Sequence, residues 1–255
     1  MKRILHFSCI IILAILLISC QPKELTREEQ IEKIENMYFD GVVLITTSYE
    51  YNFDSVTNST IDMDVKMYVI TRSNEIYTTV DVDNLPLPEN TFPIEVKSPS
   101  IAVTMYGNDT YMYAKTSITV DIFGFQTSQN YYNYTEREED LVIEDGKFYP
   151  FKGDNGFATE IVDNDKYVIT YKKEKNIEIY DVLDTSTDET IHAEVNGNGK
   201  IEYVEITSIV EGKLTVIHME KADKPKLPSE SELNKYVYVD SYSKLFNGID
   251  LGGFL

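Results

Sequence analysis

The residues that could do acid–base or metal chemistry are few, and they lie in segments patterned like β strands. His192 and His218 each sit in a run of alternating residues, which favours surface or half-buried strand histidines over a metal-binding or general-base role. Because the chain has 43 acidic residues, close acid pairs are expected on the wet faces of strands. Pairs that could bind a cation or act as acid and base on a sugar are Asp62/Asp64, Asp81/Asp83 and Asp163/Asp165.

Motifs for covalent or metal-assisted catalysis are absent from the sequence. It has no Gly-x-Ser-x-Gly, no His-Glu-x-x-His and no phosphate-cradling glycine loop. We interpret the run Glu136-Arg137-Glu138-Glu139-Asp140 as a solvated loop. We therefore predict that the protein is not an enzyme, with a carboxylate-dependent glycan hydrolase as the enzymatic alternative.

The segment Glu194–Glu205 matches part of a calcium-binding EF-hand loop. It has oxygen-bearing side chains at positions 1, 3 and 5, Gly199 at position 6 and a glutamate at position 12. An EF-hand needs helices on both sides, whereas the flanks here are β-branched and alternating. The turn Asn196-Gly197-Asn198-Gly199 is therefore predicted to close a β hairpin, and we expect no metal ion.

Tyrosine is unusually frequent, with 19 residues against 11 phenylalanines and no tryptophan. Alternation places several rings on common strand faces, which allows either a sugar-binding platform or ordinary sheet packing. Sheet packing is the favoured interpretation because tyrosine is a good strand former at half-exposed positions. The groups are Tyr49/Tyr51/Phe53, Tyr111/Tyr113 and Tyr131/Tyr132/Tyr134.

The elements that would position these residues are mostly strands. Thr26 and Glu29 form a capping-box pattern at the start of one short amphipathic helix. From Val42 onward the period changes to two, most clearly where Ile61, Met63, Val65, Met67 and Val69 alternate with polar residues. Further strands are predicted at Glu75–Val82, Ile101–Tyr106, Thr110–Ile122, Asp165–Tyr171, Asn176–Leu183, Glu189–Val195, Lys200–Ile209 and Lys213–Met219.

Short connections between these runs predict antiparallel neighbours, because parallel pairing requires long crossovers. A second capping-box pattern at Ser229 and Glu232 predicts a short C-terminal helix continuing through Tyr236 and Val237, and the tail Ser241–Leu255 is expected to dock. Asn84–Pro99 carries four prolines beside apolar residues, so it is expected to be an irregular loop that acts as a plug or a lid.

Charge and cysteine content limit the possible partners and the possible disulfides. The chain of 255 residues has a formal net charge of −20, which argues against a nucleic-acid partner because phosphate backbones are bound by clustered Lys and Arg. The two cysteines are Cys9 and Cys20, and both fall near the N-terminus, so no disulfide is expected in the folded domain.

The N-terminus has the pattern of an export signal. Lys2 and Arg3 precede an apolar run, Ile4–Ile18, which is shorter than the roughly 20 residues that cross a bilayer as a helix. Its end, Leu17-Ile18-Ser19-Cys20, resembles the lipobox of bacterial lipoproteins. That resemblance implies cleavage after residue 19, diacylation of Cys20 with fatty acids such as palmitate, and a position on the outer side of the cell membrane.

The predicted organisation is a signal peptide at 1–19, a tether at 20–25 and a single β-rich domain at 26–255. The lipidated cysteine, the capped helix, the long β meander and the late Leu-Pro-Ser-x-x-Glu helix together resemble the LolA/LolB-like carriers and the related LppX/LprG-type lipoproteins. This resemblance implies a mainly β fold, a curled antiparallel sheet or half-barrel with one short helix near each end. It also implies a cavity that holds a hydrophobic ligand or acyl chain.

The leading functional expectation is therefore a membrane-anchored lipoprotein that binds or carries a hydrophobic ligand. The alternative is a surface interaction or adhesion module without a small-molecule cavity, whose tyrosine-rich faces meet a polymer or another protein. The two differ in one observable feature: a closed apolar void of roughly several hundred Å³ would favour ligand carriage, and a filled core would exclude it.

Overall fold

The computed structural model describes residues 25–54, 59–83, 96–122, 125–137, 141–152, 166–210 and 213–246. Several predictions concern residues outside these ranges. They are the signal segment 1–19, Cys20 with the tether up to residue 24, most of the loop Asn84–Pro99, the pair Asp163/Asp165 and the tail beyond residue 246.

Alternating apolar and polar residues with Gly, Asn and Asp turns produce a fold of strands. The helices are α1 (Arg27–Glu35) and α2 (Glu230–Leu233), and a 3₁₀ helix covers Tyr242–Phe246. The strands are β1 (Phe39–Asp40), β2 (Val42–Asp54), β3 (Ser59–Ile70), β4 (Glu75–Asp83), β5 (Val96–Gly107), β6 (Tyr111–Ile122), β7 (Phe125–Glu136), β8 (Ile143–Glu144), β9 (Lys147–Phe148), β10 (Tyr167–Glu174), β11 (Ile177–Asp184), β12 (Thr190–Asn196), β13 (Ile201–Val210), β14 (Lys213–Lys221) and β15 (Val237–Tyr238).

Twelve strands form one open sheet in the order β10-β11-β12-β13-β14-β2-β3-β4-β5-β6-β7-β15, and β1, β9 and β8 form a small second sheet. The predicted fold class, mainly β with a curled open sheet and a short helix near each end, is confirmed. The prediction of exclusively antiparallel pairing is wrong at one edge, where β15 runs parallel to β7 with Val237 opposite Asn133. This is possible because the chain between β7 and β15, residues 137–236, is long enough to return to the edge of β7 in the same direction.

Helix α1 packs on one face of the sheet, which we call the inner face; the opposite side is the outer face. The predicted capping box is present, because the Thr26 hydroxyl accepts from the Glu29 N–H at 3.2 Å and the Glu29 carboxylate accepts from the Thr26 N–H at 2.9 Å. The Lys33 ammonium lies 2.9 Å from the carboxylate of Glu178 on β11. Burial opposes ionisation of Glu178, but hydrogen bonds from Lys33, Lys173 and Tyr180 outweigh it and lower the pKa of Glu178.

The main core lies between the inner face and a cover that consists of α1 and the small sheet. Ile31 and Ile34 of α1, with Phe39 and Phe148 of the small sheet, pack against strands β10 to β14, β2 and β3. A second, smaller cluster joins Met112 and Ala114 of β6 to Leu245 of the 3₁₀ helix. The two clusters occupy different parts of the inner face. Helix α1 and the small sheet cover one part, and the 3₁₀ helix packs on the other.

The segment Ala222–Tyr238, which we call the strap, crosses the outer face. It begins at β14, its Lys224 lies 3.0 Å from the carboxylate of Glu75 on β4, and it ends as β15 beside β7. The prediction that α2 continues through Tyr236 and Val237 is wrong, because the helix ends at Leu233 and Val237 belongs to a strand. Docking of the tail is confirmed at Leu245, which is fully buried on the inner face.

Candidate functional site

A row of five side chains that belong to neither hydrophobic cluster crosses the inner face of five neighbouring strands. Direct register pairs place Thr47 opposite Val65, Val65 opposite Val80, Val80 opposite Val103, and Val103 opposite Thr116. We call these five residues the valine strip. At about 4.8 Å between strands, the strip is about 19 Å long, which is comparable with an extended fatty acyl chain.

The valine strip lies outside both clusters of the core, although its residues are half-buried or buried. Val103 and Thr116 are 9% and 1% exposed. The neighbouring rows of the inner face are mostly apolar, apart from the buried Thr78 between Met67 and Met105, and they contain methionine, a flexible side chain that adapts to irregular ligands. They contain Met63, Val82, Ile101 and Ile118 on one side of the strip, and Met67 and Met105 on the other.

The two ends of the strip carry hydroxyl groups that are not satisfied. The Oγ1 atoms of Thr47 and Thr116 are buried and have no hydrogen-bond partner among the described residues. A buried hydroxyl without a partner costs roughly 1–3 kcal/mol, so such groups usually have a role. An apolar strip with a hydroxyl at each end can hold an elongated apolar molecule and hydrogen-bond a polar group at its terminus.

The predicted tyrosine clusters lie mainly on the outer face, where they form a ladder. Register pairs join one tyrosine on each of six successive strands, from β3 to β7 and on to β15. Tyr111 and Tyr132 flank the ladder on the same face, whereas Tyr49 and Tyr131 point to the inner face, and the side chains of Tyr51 and Phe53 are not described. The ladder consists of Tyr68, Tyr77, Tyr106, Tyr113, Tyr134 and Tyr238.

The strap covers much of this ladder. Tyr236 packs edge-on against Tyr113 and Tyr132, with ring centroids 5.4 and 5.3 Å away. Burial, with smaller contributions from Tyr132 and Glu232, raises the pKa of Tyr236 to about 12. Of the ladder residues, Tyr238 alone is more than half exposed, at 51%. The rings therefore hold the strap on the sheet, as the sheet-packing interpretation predicted.

The two histidines lie on the outer face of β12 and β14, on either side of Tyr203 on β13. His192 Nδ1 lies 2.6 Å from Asp181, and His218 Nδ1 lies 2.8 Å from the Tyr203 hydroxyl, which also donates to Glu205 at 2.8 Å. Both imidazoles lie on strands and are partly exposed, in agreement with the predicted surface or half-buried strand histidines. Among the described residues, no group of three or more His, Cys, Asp or Glu side chains could hold a metal ion.

The pairing of His192 with acids makes stability depend on pH. Partial burial lowers the pKa of His192, but hydrogen bonds to Asp181 and Glu194 outweigh it and raise that pKa above its ordinary value. Glu205 on β13 faces the same ring. The stabilisation is therefore full below about pH 6.5 and is lost as the pH rises through the pKa in the folded state.

We expect Asp181→Asn to reduce this effect. Thermal unfolding of both proteins at pH 5.5 and pH 8 measures it, because the variant should lose more stability at pH 5.5 than at pH 8. Equal losses at the two values would show that the His192 contact does not contribute. Leu183→Asn, at an exposed position on the same strand and face, controls for the new amide.

The predicted acid pairs lie directly opposite one another. Asp62 faces Asp83 and Asp64 faces Asp81 across β3 and β4 on the outer face, where all four side chains are exposed. Like charges opposed across a strand pair are destabilising. They stand on an open sheet surface, which differs from the cleft that flanking carboxylates form around a sugar.

Neutralising one of these acids is expected to stabilise the fold. Asp81→Asn should raise the unfolding temperature by roughly 1–2 °C at low salt, with a smaller gain at 0.5 M salt because the repulsion is screened. Asp223→Asn, in the strap, makes the same change of charge without an acid directly opposite. A rise of the same size in both variants would mean that net charge, and not the opposed pair, is responsible.

The segment that resembles a calcium loop is a β hairpin, as predicted. Asn196 donates its N–H to the Lys200 carbonyl at 2.9 Å, and Gly199 has a φ of +78°, which closes the turn between β12 and β13. The turn also holds the N-terminal segment, because the Tyr38 N–H donates to the Gly199 carbonyl. The sequence gives no sign of that contact.

Arg137 corrects the interpretation of the charged run 136–140 as a solvated loop. Glu136 ends β7, and the Arg137 guanidinium donates to the carbonyls of Asn74 and Asn108 at 2.6 and 3.0 Å. It thus ties together the ends of two hairpins. Residues 138–140 lie outside the described part of the chain.

Comparison with known proteins does not assign the chain to a family. No protein family matches it, and no curated protein matches it. Among the solved structures, the chain is similar to the Aeromonas veronii immune modulator A, at 9% sequence identity and a TM-score of 0.20, over 74% of this chain and 80% of that one. A likeness at this level carries no argument about fold or function.

No helix within the described residues is long and apolar enough to cross a membrane. The strip, the ladder and the two histidines are features of the described sheet that the sequence raises as candidates or that the strand register reveals. Of these, the valine strip is the one that combines a buried apolar surface with unpartnered polar atoms.

Proposed function

We propose that the chain is a membrane-anchored extracytoplasmic lipoprotein that binds an elongated apolar ligand along the valine strip. The anchor is a diacylated Cys20, exposed as the first residue when the signal 1–19 is removed. The ligand is an acyl chain or a similar molecule, oriented by the hydroxyls at the two ends of the strip.

The observation that carries the ligand proposal is the position of the strip outside both core clusters, together with the unpartnered hydroxyls at its ends. Five inner-face residues in direct register belong to neither core cluster, and the hydroxyls at both ends have no partner among the described residues. A β-branched and methionine-rich lining suits acyl chains, because it offers adaptable apolar contact without fixed polar specificity.

Native mass spectrometry of the mature-length chain from Gln21 onward tests the ligand. This form carries no covalent lipid, so any added mass is a bound molecule. We expect a co-purified species with the mass of a fatty acid or phospholipid, which is displaced by added fatty acid. A chain that stays at its bare mass and takes up no fatty acid would refute the proposal.

Metabolic labelling with palmitate tests the anchor separately. The full chain should incorporate label and partition with membranes, and Cys20→Ser should lose both properties. Cys9→Ser is the matched control, because that cysteine lies inside the proposed signal and its replacement should change neither. An unlabelled parent chain would remove the anchor and leave the ligand proposal standing.

A further inference from the structure

The outer edge of β7 is an open template for strand pairing. Among the described residues, β7 pairs with β6 along its whole length but with β15 only at Asn133 and Tyr134. The six residues from Phe125 to Asn130 are all exposed, and Phe125 is 80% exposed. Long exposed edges of this kind recruit further strands.

The backbone groups available on this edge can be identified. The Tyr134 carbonyl accepts from Val239 on the side of β15, whereas the Arg137 N–H donates to Thr110 on the side of β6. The backbone N–H and C=O groups of successive residues point to alternate sides of a strand. In β7, those of the even-numbered residues therefore point away from β6. Gln126, Ser128 and Asn130 therefore direct both N–H and C=O toward the open edge.

The sequence of this edge lacks the features that protect edges. Phe125–Tyr132 reads FQTSQNYY and contains no charge, proline or glycine. The opposite edge strand, β10, carries Lys172, Lys173 and Glu174, which discourage pairing. Two copies of a chain with a net charge of −20 repel each other. The eight-residue uncharged strand is a surface where they can meet without bringing like charges together.

We propose that β7 pairs antiparallel with β7 of a second copy of this chain, about a two-fold axis at Ser128. In this register Gln126 lies opposite Asn130 of the other copy, and Phe125 lies opposite Tyr131, which gives the exposed phenylalanine an aromatic partner on the inner face. β15 begins to pair at Asn133, so it occupies the edge where the seven-residue pairing ends.

Cysteine cross-linking of the full chain in membranes tests the pairing and its register. Across the axis, the two Ser128 Cα atoms would lie about 5.5 Å apart, within reach of a disulfide, whereas two Gln126 Cα atoms would lie roughly 14–15 Å apart. Under mild oxidation, Ser128→Cys should give at least ten times more disulfide-linked dimer than Gln126→Cys. The parent chain, with Cys9 and Cys20 alone, sets the background.

Proline substitution tests the same edge without a thiol. Ser128→Pro removes an N–H that points away from β6, so the fold should keep its unfolding temperature within about 2 °C, while concentration-dependent dimerisation in sedimentation is lost. Ser128→Ala should still dimerise. Equal cross-linking at positions 126 and 128, no cross-linking above background, or a parent chain that sediments as a monomer at every concentration would each overturn the proposal.

Discussion

Val80→Asp is expected to weaken binding of a fluorescent fatty acid by at least about 100-fold. Val80 is the central residue of the valine strip, with Val65 and Val103 directly opposite on the neighbouring strands. A carboxylate here would have to lose its water when an acyl chain covers it, at a cost of about 3 kcal/mol or more. Fluorescence titration with the mature-length protein measures the loss.

The neighbouring residue provides the control for this substitution. Thr79 lies on the same strand but faces the outer side, opposite Lys66, so Thr79→Asp adds the same charge away from the strip. It should bind the probe as the parent does. Circular dichroism establishes that both variants are folded. If a folded Val80→Asp protein bound the probe normally, the valine strip could not be the ligand site.

A second substitution reports on the strip even if Val80→Asp fails to fold. Thr116→Val keeps the shape of the side chain and removes a buried hydroxyl that lacks a partner. Without ligand the variant should be more stable than the parent. If the hydroxyl orients the ligand's polar end, affinity for a fatty acid should fall while affinity for a plain hydrocarbon should not. A parallel change for both ligands would contradict that role.

The fold class follows from local sequence patterns, and the site does not. Alternation in β3, the capping box at Thr26 and the Asn-Gly turn at 196–199 are signals within a few residues, and all three are confirmed. The valine strip joins residues up to 69 positions apart, from Thr47 to Thr116, through the register of five strands. Register depends on every turn between them and cannot be read from one strand.

Among the strands that the sequence does not predict, β7 is the longest, and it is missed for a physical reason. β7 begins with FQTSQN, where polar residues occupy both faces, and its first six residues are exposed. A strand that buries neither face has no hydrophobic alternation to detect. The same property leaves its edge open, so the segment that is hardest to predict is also the one available to a partner. The parallel strand β15 escapes prediction similarly, since two residues are too few for a pattern.

Phe39→Ala is expected to have the largest effect on stability. Phe39 is fully buried and stacks on Phe148 with ring centroids 6.4 Å apart, so it joins the small sheet to the main core. Truncating it leaves a cavity where the cover of α1 and the small sheet meets the inner face. The loss should be about 3–5 kcal/mol, which lowers the unfolding temperature by roughly 6–20 °C.

Phe125→Ala is the matched control, because it removes the same side chain from a position that is 80% exposed. Measured by thermal unfolding in dilute solution, it should change stability by less than about 0.5 kcal/mol. The contrast isolates burial as the cause, since both variants lose the same atoms from a strand. If the two variants unfolded at the same temperature, the packing of Phe39 against Phe148 would not hold the cover in place.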